Sequence, residues 1–313
     1  MIKAENIIKR YGKINAVDHF SIQVNKGEMV GLFGPNGSGK TTTLQVLQAL
    51  ISKNKGEIEI FGKPMTSLSY ETKRKIGYVP EEICLFGDLS VYENIDYFCS
   101  LYIKDKKKRE ELVEEVIKDM GIFDFWKFYP YQLNQGLLRK VNMACGIAHK
   151  PEILFLDEPM EGVDIQSSRA LIDRIIRFHQ DGMTIIYATH NAEEVEALSG
   201  RIYMMDKGKC LVSGTEKELK EMIGIQEKIS IEAYHISEQV LEELRRLPHV
   251  CDINYHGNQL TLKSQNRKHN LLNILNFLQE NEVSMGSVYS ERPTLNDVFL
   301  EITGKEYERR EGI

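Results

Sequence analysis

The chain has 313 residues, which is long enough for two domains that each bury a core. Hydrophobic residues account for 42% and charged residues for 27%, as in ordinary globular proteins, and 40 basic against 46 acidic side chains leave a net charge of −6. This charge argues against a general nucleic-acid-binding surface, and five scattered cysteines without a C-x-x-C pair argue against a disulfide framework or a zinc site. No stretch approaches the roughly 18 apolar residues that span a bilayer, so we expect any membrane role to require a separate chain.

Strands and helices alternate over most of the chain. Residues 28–33, EMVGLF, predict a short buried strand that is followed by a Gly-rich turn and a helix. Helical periodicity then runs from about residue 90 to 148, before the alternation resumes. The runs EILFL and TIIYA are apolar without a period of two, which is typical of central parallel strands covered on both faces. We therefore predict an α/β domain over residues 1–224, with a helical insertion at about 90–148.

The pattern changes after residue 224. A strand, a helix, a hairpin around Gly257, a second helix, a strand and a closing helix follow in turn. Two β-α-β passes in about 75 residues are typical of a small ferredoxin-like α+β fold. We therefore predict a second domain over residues 225–313.

One Gly-rich segment carries the pattern of a phosphate-binding loop. Residues 34–42, GPNGSGKTT, match G-x-x-x-x-G-K-[ST] between a predicted strand and a predicted helix, which argues against an accidental turn. Glycines let successive backbone N–H groups point at phosphate oxygens, and the helix N-terminus adds positive dipole. Lys40 is expected to reach the β- and γ-phosphates, and the Thr41 hydroxyl to ligate Mg²⁺. The predicted site comprises Gly34, Pro35, Asn36, Gly37, Ser38, Gly39, Lys40, Thr41 and Thr42.

Two later strands end in side chains that suit phosphoryl transfer. The run EILFLDEP delivers Asp157 to the carboxyl edge of the predicted sheet, where it would hold Mg²⁺ through water. Glu158 follows and could polarise the attacking water, because positioning that water is the main chemical need. A surface turn is the alternative, and the partnership with the Gly-rich loop argues against it. His190 ends the run IIYATH, and a lone histidine there is more often structural than catalytic.

The order of these motifs resembles the ATP-binding subunits of ATP-binding cassette (ABC) transporters. The resemblance covers residues 1 to about 224 and rests on Tyr11, GPNGSGKTT, YVPE, LNQGL, LFLDEP, GVD and ATH. It implies that ATP and Mg²⁺ are the cofactors and that Tyr11 stacks on adenine. It also implies that Glu81 approaches Mg²⁺ and senses the membrane partner, that Asp164 belongs to the D-loop, and that His190 is the switch histidine.

The C-terminal region narrows the resemblance to one branch of the family. Residues 292–304, RPTLNDVFLEITG, look like the closing segment of the accessory domain in drug-, antibiotic- and sodium-export ATPases. This segment is less specific than the nucleotide motifs, but it agrees with them independently.

Residues 133–137, LNQGL, depart from the LSGGQ signature of the family. In the exporter branch a polar residue such as Gln135 is ordinary, and Gly136 is retained where backbone must approach phosphate closely. The departure is Asn134, which replaces the serine that the family places against the γ-phosphate bound by the opposite subunit. Asparagine can donate through its amide and is as good an N-cap as serine. We therefore expect a working site, and whether Asn134 makes it slow or degenerate stays open.

The resemblance implies an ATPase subunit of an exporter. Two subunits, as a homodimer or a heterodimer, would close head to tail around two ATP, and hydrolysis would drive two membrane permease subunits from the cytoplasmic face of the cell membrane. One alternative is an asymmetric heterodimer in which the signature site of this chain is degenerate. Another is a soluble ABC protein that acts on nucleic acid or ribosomes. The single cassette and the net charge of −6 argue against that alternative, so no nucleic-acid partner is expected.

Overall fold

The computed structural model describes residues 1–223, 227–264 and 270–304. The chain forms two compact units, Met1–Ser213 and Gly214–Ile313. The boundary that the sequence predicts between residues 224 and 225 lies outside the described residues. In the described part of the chain, no helix combines the length and the apolar character that a membrane span requires.

The first unit is built from two sheets and a group of helices. In chain order its elements are β1 (Ile2–Tyr11), β2 (Ile14–Val24), β3 (Met29–Phe33), α1 (Lys40–Leu47), β4 (Lys55–Ile60), β5 (Lys63–Pro64), α2 (Tyr70–Lys73), β6 (Ile76–Val79), α3 (Val91–Ser100), α4 (Lys106–Asp119), α5 (Gln135–Ile147), β7 (Ile153–Asp157), α6 (Ile165–Gln180), β8 (Thr184–Thr189), α7 (Ala192–Leu198), β9 (Arg201–Asp206) and β10 (Lys209–Gly214).

A six-stranded sheet with the order β10-β9-β3-β8-β7-β6 forms the centre of this unit. The pairings of β9 with β3, β3 with β8, β8 with β7 and β7 with β6 are all parallel. Every residue of β3, β7 and β8 is buried, as expected for central strands whose apolar runs lack alternation. Because the strands are parallel, their carboxyl ends meet at one edge, where α1 begins and β7 ends.

A second, antiparallel sheet has the order β2-β1-β4-β5. The sequence analysis assigned no element to β1 and β2. The pairing of β1 with β2 shifts register at several points, and the burial along β1 does not alternate regularly. A register broken in this way removes the period of two on which strand prediction from sequence depends.

Helices α3, α4 and α5 follow β6 and form the insertion. α3 begins with a capping box in which Ser90 accepts from the Glu93 N–H and Glu93 reaches back to Ser90. The three helices share a buried apolar cluster, which contains Ile95, Val113 and Val141. This shared core keeps α5, which follows the LNQGL segment, fixed against its neighbours.

The second unit is the small α+β fold that the sequence predicts. Its elements are α8 (Glu216–Met222), β11 (Glu227–Tyr234), α9 (Glu238–Arg245), β12 (Val250–His256), β13 (Gln259–Ser264), α10 (Asn270–Glu280), β14 (Ser284–Glu291) and α11 (Leu295–Thr303). The sheet order β12-β13-β11-β14, with every pair antiparallel, is that of a ferredoxin-like β-α-β-β-α-β fold. The sequence analysis placed α8 in the first domain, but α8 packs against α11 of the second unit.

A candidate nucleotide-binding site

The loop between β3 and α1 has a backbone that only glycine tolerates at key points. Gly39 caps α1 in the left-handed region with φ of 101°, and a Cβ there would lie 2.3 Å from the Ala16 carbonyl oxygen. A Cβ on Gly34 would lie 2.2 Å from the Met205 carbonyl oxygen. The glycine spacing of the motif therefore follows from close approaches to distant backbone segments as well as from the curl of the loop.

The Lys40 side chain is folded into this loop and is only 5% exposed. Its Nζ donates to the Gly34 carbonyl oxygen at 2.8 Å and to the Pro35 carbonyl oxygen at 3.3 Å. The same ammonium lies 3.1 Å from Glu158 Oε1, without the alignment of a hydrogen bond. The loop thus places a buried positive charge beside the carboxylate that follows β7.

Ser38 gives independent evidence that the loop is built for an anion. Its side chain is only 2% exposed, and its Oγ has no hydrogen-bond partner in the described part of the chain. A buried hydroxyl without a partner is costly. A phosphate oxygen held by the loop would supply the acceptor.

Asp157 lies at the carboxyl end of β7 and is fully buried. The Thr41 hydroxyl donates to its Oδ1 at 3.1 Å, and the Tyr78 hydroxyl donates to its Oδ2 at 3.3 Å. Burial raises the pKa of Asp157 to about 6, against the lowering effect of the hydrogen bond from Thr41. A carboxylate beside a hydroxyl is a hard oxygen donor set, which fits a divalent cation such as Mg²⁺.

Glu158 adopts a left-handed backbone conformation with φ of 43° immediately after the strand. Its Oε2 lies 3.0 Å from His190 Nδ1 and accepts from the His190 backbone N–H at 3.3 Å. Burial pushes the pKa of Glu158 upward, but the hydrogen bond from His190 and the charge of Lys40 outweigh it and hold the pKa below its ordinary value. The hydrogen bond to Glu158 raises the pKa of His190 in turn. Glu158 is therefore an oriented carboxylate at neutral pH.

A cavity of about 690 Å³ opens over these groups. Glu81, which follows β6, reaches this cavity together with the residues of the Gly-rich loop. The lining comprises Ile14, Asn15, Ala16, Asn36, Gly37, Gly39, Lys40, Thr41, Thr42, Glu81, Glu158 and Lys207.

Some lining groups were not predicted from the sequence. Asn15 and Ala16 come from β2, and Lys207 lies in the turn between β9 and β10. No local pattern marks such residues, because they reach the cavity through pairing of distant strands.

Tyr11 ends β1 and is 51% exposed, with the Lys9 ammonium 5.0 Å from its ring centroid. It does not line the cavity itself, but its partner across the hairpin, Ile14, does. The ring therefore stands on the hairpin that borders the cavity.

The LNQGL segment lies apart from this cavity. Asn134 caps α5, and its Oδ1 accepts from the Leu137 N–H at 2.9 Å. A Cβ on Gly136 would lie 2.6 Å from Ser167 Oγ and 3.5 Å from Asp164 Oδ2. Asp164 in turn caps α6 by accepting from the Ser167 N–H at 2.9 Å. Asn134, Gly136 and Asp164 thus form a second polar region that shares no lining residue with the first.

Comparison with known proteins supports both units. The family profile described as ABC transporter matches residues 17–161, and that of the ATP-binding protein DrrA1-3-like, C-terminal domain, matches residues 214–303. The chain is 32% identical to the Linearmycin resistance ATP-binding protein LnrL of Bacillus subtilis, over 97% of this chain and 99% of that relative. It is 28% identical to the Daunorubicin resistance ATP-binding protein DrrA3 of Streptomyces coeruleorubidus, over 97% of this chain and 96% of the relative.

The fold agrees with solved cassettes. A bacterial ABC transporter cassette solved as a dimer superposes with a TM-score of 0.64 and 25% identity, over 69% of this chain and 98% of that one. The fold and the phosphate site therefore define an ABC-type ATPase. The chain belongs to the ATP-binding subunits of ABC transporters, and its relatives include drug- and antibiotic-resistance proteins that it matches over nearly their full length.

Proposed function

We propose that this chain hydrolyses ATP at the interface of a head-to-tail dimer and thereby drives export through two separate membrane subunits. The observation that carries the proposal is the division of polar groups on one chain. The cavity holds Lys40, Thr41 and Glu158, whereas Asn134 and Gly136 lie outside it. A second copy, turned head to tail, would bring its own Asn134 and Gly136 to the open side of the cavity.

Each group in the cavity has a role in this chemistry. Thr41, Asp157 and Glu81 would hold Mg²⁺, which supplies positive charge to the β- and γ-phosphates. Lys40 would turn from Glu158 Oε1 to the γ-phosphate, because the phosphate offers more negative charge at the same place. Oε1 would then be able to accept a hydrogen bond from the attacking water. His190 would keep the Glu158 carboxylate in position through Oε2.

Asn134 fits a working signature residue. Its Oδ1 is occupied by the Leu137 N–H, whereas its Nδ2 donates to no residue in the described ranges. The amide is thereby oriented by the helix it caps, and Nδ2 remains as a donor toward an anion. We propose that this donor contacts the γ-phosphate bound by the partner subunit.

The helical insertion carries the surface that we propose for the membrane subunits, at the cytoplasmic face of the membrane. Phe86 and Tyr97 are 45% and 43% exposed and form an edge-to-face pair with ring centroids 4.9 Å apart. Leu101, four residues after Tyr97 at the end of α3, is 58% exposed. Exposed aromatic and aliphatic groups close together are typical of protein interfaces. The names of the relatives favour antibiotic-like compounds as the exported class.

ATP-dependent dimerisation tests the proposal directly. Purified Glu158→Gln protein with Mg²⁺ and ATP should elute as a dimer, and the same protein without nucleotide as a monomer. The Lys40→Ala, Glu158→Gln double variant is the matched control and should remain monomeric. Membrane subunits should copurify with the native chain. A Glu158→Gln protein that binds ATP and stays monomeric at every concentration would refute the head-to-tail site.

A further inference from the structure

A buried arginine in α5 connects two parts of the phosphate site. Arg139 is only 2% exposed. Its Nη1 donates to the backbone carbonyl oxygens of Pro80 and Glu81. Its Nη2 donates to the backbone carbonyl oxygen of Glu161 at 3.0 Å. One guanidinium therefore holds the segment after β6 and the turn after β7 together.

Each of the two segments that Arg139 contacts includes, or is hydrogen-bonded to, a residue that lines the cavity. Glu81 lines the cavity itself. Glu161 closes the turn that begins at Glu158, since its N–H donates to the Glu158 carbonyl oxygen at 3.1 Å. The other end of that turn is anchored by the Glu158 N–H, which donates to the Ala188 carbonyl oxygen at 2.9 Å. Arg139 thus contacts the backbone of a cavity-lining residue, Glu81, and of the turn that carries another, Glu158.

Asn142, one turn further along α5, strengthens one side of the connection. Its Nδ2 donates to the Pro80 carbonyl oxygen at 3.3 Å, and its Oδ1 accepts from the Cys84 N–H at 3.2 Å. Asn142 holds only the segment after β6, whereas Arg139 alone also reaches Glu161. Two side chains of α5 therefore hold the residues after β6.

The energetics of Arg139 are unusual for a purely structural residue. Among the described residues no carboxylate lies within 4.0 Å of its guanidinium, and its Nε has no hydrogen-bond partner. Burial lowers the pKa of Arg139, and the more distant carboxylates of Glu161 and Glu81 oppose that effect only in part. Burying such a charge is costly, and an apolar side chain of similar volume often stabilises a core better. The forked guanidinium of an arginine has several N–H donors, so it can bind carbonyl oxygens of two separate segments at once.

We infer that Arg139 is a positioning residue for ATP hydrolysis, which sets the place of Glu81 relative to the turn that carries Glu158. The inference rests on the proposed function, since it concerns the same site. Because α5 begins at the LNQGL segment, the connection also ties both active-site segments to the helix that would face the partner subunit. Arg139 does not line the cavity, so it should act on turnover rather than on nucleotide affinity.

Substitution of Arg139 in the full-length chain tests the inference. Arg139→Gln should lower kcat at least about tenfold while changing the Kd for ATP less than about threefold. Arg139→Lys should recover part of that loss and remain about threefold below the wild-type kcat, because one ammonium cannot span the three carbonyl oxygens. Lys140→Gln, which removes the same charge from the next position of α5, should leave kcat within about twofold.

The outcomes separate the possibilities. A smaller loss of kcat in Arg139→Gln, or an equal loss of ATP affinity, would overturn the inference. Thermal melting shows whether Arg139→Gln is folded. If it is not folded, Arg139→Lys decides, and a wild-type kcat in that variant overturns the inference. Wild-type protein without any ATPase activity would instead overturn the proposed function.

Discussion

The two polar regions of the cassette are built by opposite means. In the first region, Lys40 and Asp157 are buried and are held by hydrogen bonds within their own chain. In the second region, Asn134 is exposed, and its side chain is oriented by the helix that it caps. The difference teaches that one chain holds most of the phosphate site by itself, whereas in the proposed dimer Asn134 would act on a ligand bound by the other chain. We therefore expect the isolated monomer to report on ATP binding in the first region, whereas substitutions in the second region should change only turnover.

The largest effect is expected from Gly136→Asp in the second region, where Gly136 is buried beside the exposed Asn134. The new carboxylate would meet the γ-phosphate of the partner site, so we expect turnover to fall to background. The structure adds an effect within the chain, because even a Cβ would lie 2.6 Å from Ser167 Oγ. Steady-state ATPase measures the loss, and calorimetry should show unchanged ATP affinity in the monomer.

Two further variants separate the two causes of that loss. Gly136→Ala carries the steric clash without the charge, and Ser167→Gly removes the clashing hydroxyl. If crowding within the chain dominates, Gly136→Ala alone should also lose turnover. The Gly136→Ala, Ser167→Gly double variant should then regain turnover relative to Gly136→Ala. Retained turnover in Gly136→Asp itself would contradict the assignment of this glycine to a phosphate contact.

The next largest effect is expected inside the buried region, from Glu158→Gln. The amide cannot take a proton from the attacking water, so turnover should fall by at least about 100-fold while ATP still binds. The amide keeps the size of the side chain and one acceptor for His190. Single-turnover hydrolysis checks this directly. Turnover near the wild-type value would show that another group positions the water.

The main effect of Lys40→Ala should be on ATP binding rather than on the hydrolysis step. Loss of the charge-assisted contact with phosphate should weaken ATP binding by at least about 1–2 kcal/mol. Titration calorimetry on the isolated chain provides the measurement. Equal affinity of variant and wild type would mean that the backbone N–H groups of the loop bind the phosphates without Lys40.

The smallest effect on turnover is expected from Asn134→Ser. Serine keeps the helix cap and a donor, so turnover with the membrane subunits present should change by less than about tenfold, or about 1.4 kcal/mol of barrier. Asn134→Ala is the matched control, because it removes the cap and should cost about 1 kcal/mol of folding stability. If Asn134→Ser instead raises turnover a hundredfold or more (about 2.7 kcal/mol), the natural site is degenerate and the asymmetric heterodimer is the better account.

Much of the phosphate site could be predicted because its chemistry is local in sequence. The positive φ of Gly39, the start of α1 at Lys40 and the end of β7 at Asp157 are properties of short segments, which motif and periodicity report. The comparisons with known proteins confirmed the family and the fold class that these local patterns predict. The ferredoxin-like order of the second sheet follows from the sequence of strands and helices, because few topologies connect them without crossing.

Only the tertiary structure decided how distant segments meet. No local pattern shows that Tyr78 donates to Asp157 or that α8 packs against α11. Nor does the sequence distinguish Arg139 from its neighbour Lys140, although Arg139 is buried between the segments after β6 and β7. The physical reason is the same in each case. Such contacts depend on the relative placement of elements, which the packing of the whole core determines and a short stretch of residues does not encode.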